Sequence, residues 1–316
     1  MSLASVETVA AEPGAVIAAP TGVVRAVLRT WSARIGLIIL VLFLFVAVFG
    51  SWLAPYPTTP TSGQIFAPPG PGHPLGTDDA GVDMLSLILK GARVSLIVGF
   101  ASACVAMIIG GTVGVVTGHF GGRTDSFLMR VADYFLVIPD VPLMVVMAAL
   151  FGRSLTNIII IIALIYWAST ARLIRAQTRS VRERHFVRRA KSIGAGHPRL
   201  LMTHIVPQIV PLLIANTVLM IALGIYAETF VTFLGLGDPE ATSWGSILQD
   251  AFAASAQTNG AWWAIVPPGL CVTVVVIGFT LVGQTVEEEL NPRLRVGHLA
   301  YRRFRVRPLG GDLSRD

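Results

Sequence analysis

Residues 186–207 read FVRRAKSIGAGHPRLLMTHIVP, a basic stretch set between two long apolar runs. Phe186, Ala190, Ile193 and Gly194 recur at steps of three and four, the spacing of one helix face. Ala190 and Gly194 leave a shallow notch on that face, where another protein could approach closely. Arg188, Arg189 and Lys191 hold the segment on the positive, cytoplasmic side of a membrane. The expectation is a short helix between two membrane spans, facing the cytoplasm and free to push or be pushed by a partner.

The rest of the chain agrees with that setting. Of 316 residues, 53% are hydrophobic and only 13% charged, and the mean hydropathy is +0.70. A soluble domain carries about 25% charged residues. Here the apolar residues also fall in long blocks, so the chain reads as an all-α polytopic membrane protein. A bilayer core needs about 20 helical residues, and six spans can be drawn: 35–53, 95–118, 135–151, 155–169, 209–233 and 262–286. The third and fourth are short and meet at a tight turn, Gly152-Arg153-Ser154, and Pro139 and Pro142 bend the start of the third. The first reads as a retained anchor: Arg25, Arg29 and Arg34 precede it directly and no small-residue cleavage site follows.

Counting Lys and Arg orients the bundle. With the N-terminus inside, inner segments hold 21 of the 24, and outer segments hold only Lys90, Arg93 and Arg153. Both termini are therefore expected in the cytoplasm. The net charge of +6 is explained by topology, with no need of nucleic acid. This divides the chain into a cytoplasmic tail at 1–34, whose first 24 residues read as mobile, then a first span with a Pro-rich external segment at 35–94. A five-helix core follows at 95–290, with a basic inner loop at 180–207, and a basic cytoplasmic tail closes the chain at 291–316.

Several residues are candidates for function. Glu228 lies in the apolar stretch LMIALGIYAETFVTFLG near the outer end of the fifth span. A charge at that depth is costly, so it either bonds a neighbouring helix or lines and gates a transport path. Asp140 is a second, shallower acid. The outer segments offer His73, Asp78, Asp83 and Trp244 as a docking surface for an external partner, or serve only as connection. Trp262 and Trp263 suit an interfacial belt. Gly110, Gly114 and Gly118 repeat the GxxxG spacing of close helix contacts, within the chain or against a second subunit.

Other chemistry is missing from the pattern. Cys104 and Cys271 sit in apolar runs and read as buried small hydrophobes. The six histidines show no metal-ligand spacing. The only lysines, Lys90 and Lys191, complete no phosphate-cradling loop, and no nucleophile or zinc motif stands out. No catalytic residue and no resident cofactor or metal is expected.

These motifs together resemble the permease subunits of bacterial ABC importers, specifically the C-type subunit of the dipeptide/oligopeptide/nickel class. The resemblance runs from about Arg34 to Arg295. It rests on His73-Pro74-Leu75-Gly76-Thr77-Asp78 with Gly81 and Asp83, and on Gly91 through Leu96. It rests also on Ala190, Gly194, His204, Ile205 and Pro207 of the coupling loop, on ETFVTFLGLG at 228–237 with Trp244-Gly245, and on Asn291 through Arg295. The chain departs from the class at Arg188 and Arg189, where the loop usually has glutamate and alanine, at Val82 for arginine and at Asn291 for aspartate.

The resemblance implies the six-helix type I importer permease fold with a cytoplasmic coupling helix, in the bacterial inner membrane. It implies a heterodimer with a second permease subunit, two ATP-binding subunits that hold ATP and magnesium, and an extracytoplasmic solute-binding protein. Phe186, Val187, Arg188, Arg189, Ala190, Ile193, Gly194 and Ala195 would then couple the ATPases to the spans. Di- and oligopeptides are the implied cargo, with nickel chelates, haem or glutathione as alternatives. A secondary transporter or channel is the rival from another class; it needs no ATPase, but no inverted repeat or charge relay supports it.

Overall fold

The structure, a computed structural model, describes residues 30–58 and 64–290. The two tails, with Arg25, Arg29 and the motif Asn291 through Arg295, lie outside the described residues. Nine helices make the bundle among those described: α1 Trp31–Leu53, α2 Met84–Phe120, α3 Gly122–Val137, α4 Asp140–Phe151, α5 Leu155–Arg182, α6 His185–Ser192, α7 Val206–Val231, α8 Trp244–Ala253 and α9 Val266–Leu290. Short helical turns extend α7 at both ends, so that one continuous element runs over His197–Leu236.

Five helical elements are long and apolar enough to cross a membrane, and a sixth span results if α3 and α4 are taken together. The chain is an all-α polytopic membrane protein. Three of the expected spans change shape. The third is no single helix: α3 and α4 meet at 94°. Ile138 is held in extended backbone ahead of Pro139, which disfavours the helical conformation before it. Pro139 thus breaks the segment instead of bending it, and Pro142 is accommodated in the first turn of α4.

The second span begins at Met84, eleven residues before the expected Ser95. Asp83 makes that start, since its carboxylate accepts from the Ser86 N–H at 2.9 Å and the Ser86 hydroxyl at 2.8 Å. The fourth is not short; α5 continues past Ser169 to Arg182.

The glycine repeat decides how α2 meets α5. Gly110, Gly114 and Gly118 lie against Trp167, Ala171 and Arg175 of α5, whose backbone oxygens fill the space a side chain would take. The repeat therefore serves contact within the chain. α7 packs on α2 and α9, and α1 packs on α2 and α9 from the outside.

Two ends of the bundle differ in character. At the end away from α6, called here the cap end, Trp244 and Trp263 are buried in one apolar cluster with Met84, Ile88 and Ile247. The Trp263 indole N–H donates to the Thr77 carbonyl at 3.1 Å and the Trp244 indole N–H to the Ile88 carbonyl at 3.1 Å. Trp262 is exposed beside them, so the expected pair of belt tryptophans is divided between surface and core. Cys104 also departs from expectation, being exposed on α2 instead of buried; both cysteines are free thiols.

Candidate functional site

The loop end carries the basic segment. α6 spans His185–Ser192, and Val187 and Ala190 turn inward onto Ile174, Val181, Leu200, Ile205 and Ile209. Arg188 and Arg189 point outward and are exposed, as are Lys191 and Phe186. The helix ends before Ile193 and Gly194. Ala190 and Gly194 therefore form no notch, and Phe186, Ala190, Ile193 and Gly194 share no face.

The reason is a C-terminal cap. Gly194 sits at φ +87°, in the left-handed region that glycine enters without a Cβ clash. Its N–H donates to the Lys191 carbonyl at 3.0 Å, and the Ala195 N–H reaches back to the Ala190 carbonyl at 3.1 Å. These are the two bonds of a Schellman cap, and Ala195 packs on the Ala190 cluster as that cap requires. Gly194 stops α6 and turns the chain toward α7, leaving Ile193 87% exposed.

A stripe of arginines roots the segment. Arg172, Arg175, Arg179 and Arg182 follow one another along α5 at steps of three and four, on one face. Arg172 bonds Asp133 at 2.5 Å, Arg175 grips Asp125 through two nitrogens at 2.5 and 2.8 Å, and Arg179 also bonds Asp125. Both aspartates belong to α3, so the stripe clamps α3 along the polar half of α5.

Arg182 donates to the His119 carbonyl at 2.9 Å, capping the end of α2. The Arg188 and Arg182 guanidiniums hold the exposed Glu183 carboxyl below its usual range. Charge counting alone reads Arg172 through Arg182 as residues that set orientation. Their three-four-three spacing was the signal for a helical clamp.

Glu228 occupies another kind of position. It is 1% exposed and lies between helices at the cap end. The Ser95 hydroxyl of α2 donates to its Oε2 at 3.0 Å and the Thr232 hydroxyl to its Oε1 at 3.2 Å. Ser95 Oγ also accepts from the backbone N–H of Trp244, at 3.2 Å, so one carboxylate ties α2, α7 and the start of α8. In this structure Glu228 faces protein, and of its two readings the inter-helix bond is the one drawn.

Glu228→Ala leaves two buried hydroxyls without their acceptor and opens a cavity, at a cost of about 2–4 kcal/mol. It is expected to lower the thermal midpoint in detergent, and Glu228→Gln, which keeps one oxygen, to lower it clearly less. An alanine variant melting at the wild-type temperature would refute the brace. Asp140 is exposed at the start of α4, and its carboxylate accepts from the Val141 N–H.

The proposed docking residues separate. Asp83 and Trp244 are each 0% exposed, one consumed in capping α2 and in its 2.9 Å contact with His73 Nδ1, the other in the core. Neither presents a surface to a partner. His73 is partly exposed, and its ring lies against that of Tyr56, tilted by 41° at 4.8 Å.

Asp78 lines a cleft of about 300 Å³ at the cap end with Asp79, Arg153, Asp238 and Asp250. Burial lifts the Asp78 carboxyl above its ordinary value, and Asp79 adds to the lift. Burial, with Asp79 and Asp78 nearby, does the same for Asp250. Among the described residues no three His, Cys, Asp or Glu side chains converge to hold a metal ion.

Known proteins are similar to this chain in sequence along most of its length. Residues 110–296 match the profile of the binding-protein-dependent transport system inner membrane component, and residues 22–69 match that of the N-terminal TM domain of oligopeptide transport permease C. The chain is 33% identical over 266 residues to the oligopeptide transport system permease protein OppC of Bacillus subtilis, covering 83% of this chain and 86% of that one. It is 36% identical over 273 residues to the nickel transport system permease protein NikC of Escherichia coli K12, covering 85% and 96%. It is 34% identical over 274 residues to a putative peptide transport system permease protein of Brucella suis, covering 86% and 91%.

Proposed function

The chain belongs to the family of binding-protein-dependent transport system inner membrane components, and from that premise we propose that it forms half of the translocation path of an ATP-driven importer of di- and oligopeptides. The observation that carries the reading is similarity to peptide permeases over more than four fifths of the chain, spans and basic segment together. A second permease subunit completes the path. Two ATP-binding subunits lie beneath the pair, and a solute-binding protein delivers cargo to the cap end. Both termini lie in the cytoplasm, in keeping with the arginine-rich loop end.

α6 is the point of entry for work. Its inward face is fixed to α5 and α7 through Val187 and Ala190, and its outward face is free for the ATPases. Closure of the ATPase pair moves α6 and, with it, the packed helices behind it. The spans then exchange inward- and outward-facing states whose relative stability ATP sets.

The identity to a nickel permease favours one other cargo, a nickel chelate, carried by the same machinery. The test is uptake into proteoliposomes holding the two permease chains, the ATPases and the binding protein. Peptide uptake that requires both ATP and the binding protein is expected. Uptake driven by an ion gradient without ATP would overturn the importer reading, and ATP-driven uptake of the nickel complex alone would replace the cargo.

A further inference from the structure

At the loop end, His119 closes α2 and His197 opens the helical turn that leads into α7. His119 is 7% exposed. Its Nε2 lies 2.9 Å from Nδ1 of His197, with the two rings nearly perpendicular at 86°. Its other nitrogen, Nδ1, is buried and finds no hydrogen-bond partner among the described residues. Native structures leave few buried polar atoms in that condition, and each asks for a reason.

Proton counting supplies one. A bond between two imidazole nitrogens at this distance holds one proton. Because a buried N–H without an acceptor is the rarer arrangement, the proton belongs on His119 Nε2, donated to His197, and His119 Nδ1 stays bare. No place is left for a second proton. On His197 it would set two N–H groups head to head. On His119 it would create a buried donor facing nothing.

The surroundings oppose a second positive charge as well. Arg182 from α5 bonds the His119 carbonyl, and Lys191 from α6 adds positive potential. The nearby acid, Glu183, is already engaged by Arg182 and Arg188. Phe120 packs against both rings.

We propose that His119 and His197 form a one-proton latch: it fastens the exit of the coupling loop to the end of α2 and opens when a second proton arrives, so that cytoplasmic acidification separates ATP hydrolysis from transport. The latch sits between α6 and α7, the stretch through which motion must pass. His119 is the fixed half. His197, exposed at the surface, is the half that meets solvent. Histidine is the side chain whose charge state changes nearest to neutral pH, so a proton from the cytoplasm is the agent that opens the latch.

The proposal rests on the coupling role of α6, and its test has one arm that does not. With Cys104 and Cys271 replaced by alanine, spin labels at Arg123→Cys and Arg199→Cys report the separation of the end of α2 from the loop exit. Lowering the pH from about 7.5 to about 5.8 should widen that distance in the wild-type pair. His197→Asn, whose amide oxygen can accept from His119 Nε2–H and does not titrate, should keep it short. His197→Arg should hold it wide at both pH values.

In the assembled transporter, uptake per ATP hydrolysed should fall at least about fivefold over the same pH range in the wild type and stay level with His197→Asn. An unchanged label distance in the wild type, or an equal pH response in His197→Asn, overturns the latch whether or not uptake needs ATP. Absence of ATP-driven uptake at neutral pH strikes the importer reading and leaves the distance result to decide the latch.

Discussion

Gly114→Leu prevents the bundle from forming. A Cβ at this position would stand 2.7 Å from the Ala171 carbonyl oxygen and 2.7 Å from Ile174 Cβ, both fixed in α5. Neither can rotate away, so α2 and α5 must separate. Gly110 and Gly118 meet the same helix one turn to either side, and the separation opens their contacts too.

Overpacking costs about 1–3 kcal/mol where neighbours can shift, and here they cannot, so the upper end or beyond is expected. The measurement is accumulation in membranes together with thermal unfolding in detergent. Gly269→Ala in α9, where a Cβ would meet nothing within 4 Å, is the control that should behave as wild type. Normal accumulation of Gly114→Leu would show that α2 and α5 do not meet as described.

Gly194→Val breaks function while sparing the fold. A Cβ there would meet no atom within 4 Å, so the substitution clashes with nothing. The cost is in the backbone: a residue other than glycine at φ +87° is disfavoured by about 1–2 kcal/mol, and a β-branched one is among the worst. The cap opens, Ala195 leaves Ala190, and the last turn of α6 frays. Membrane levels and ATP hydrolysis should hold, and uptake should fall roughly tenfold, the effect of about 1.4 kcal/mol lost from one state. Gly194→Asn, which tolerates the left-handed region, should retain much more. Full uptake by the valine variant would remove α6 from the path of force.

Much of this was legible in the sequence because hydropathy and charge obey the bilayer. The first span, the last two and the turn at Gly152 followed from hydropathy and turn residues, and a short basic helix between two long apolar elements followed from the charge pattern. What escaped shares one cause: two different structures present the same local pattern. Leu155 through Ser169 reads as a short span because apolar character stops there. The helix continues because Arg172, Arg175 and Arg182 find partners on α3 and α2, which sequence neighbours do not reveal.

Trp244 in an outer segment reads equally as an exposed anchor or a core residue, and only the fold around Ile88 chooses. Gly194 fitted the helical spacing of a surface notch, and its positive φ is a property of the backbone alone. A window of hydropathy over Phe135 to Phe151 averages across the 94° corner and cannot see it.

The unbroken length of α2 has a mechanical consequence. Thirty-seven residues make a rod of about 55 Å, well beyond the roughly 30 Å of a hydrocarbon core. One tip is anchored by Asp83 in the cap and the other carries His119. With no hinge along it, the rod behaves as a lever. A tilt of about 10° around its midpoint sweeps each tip through roughly 5 Å in opposite directions, so a displacement applied on one side of the bilayer is delivered, reversed in sense, on the other.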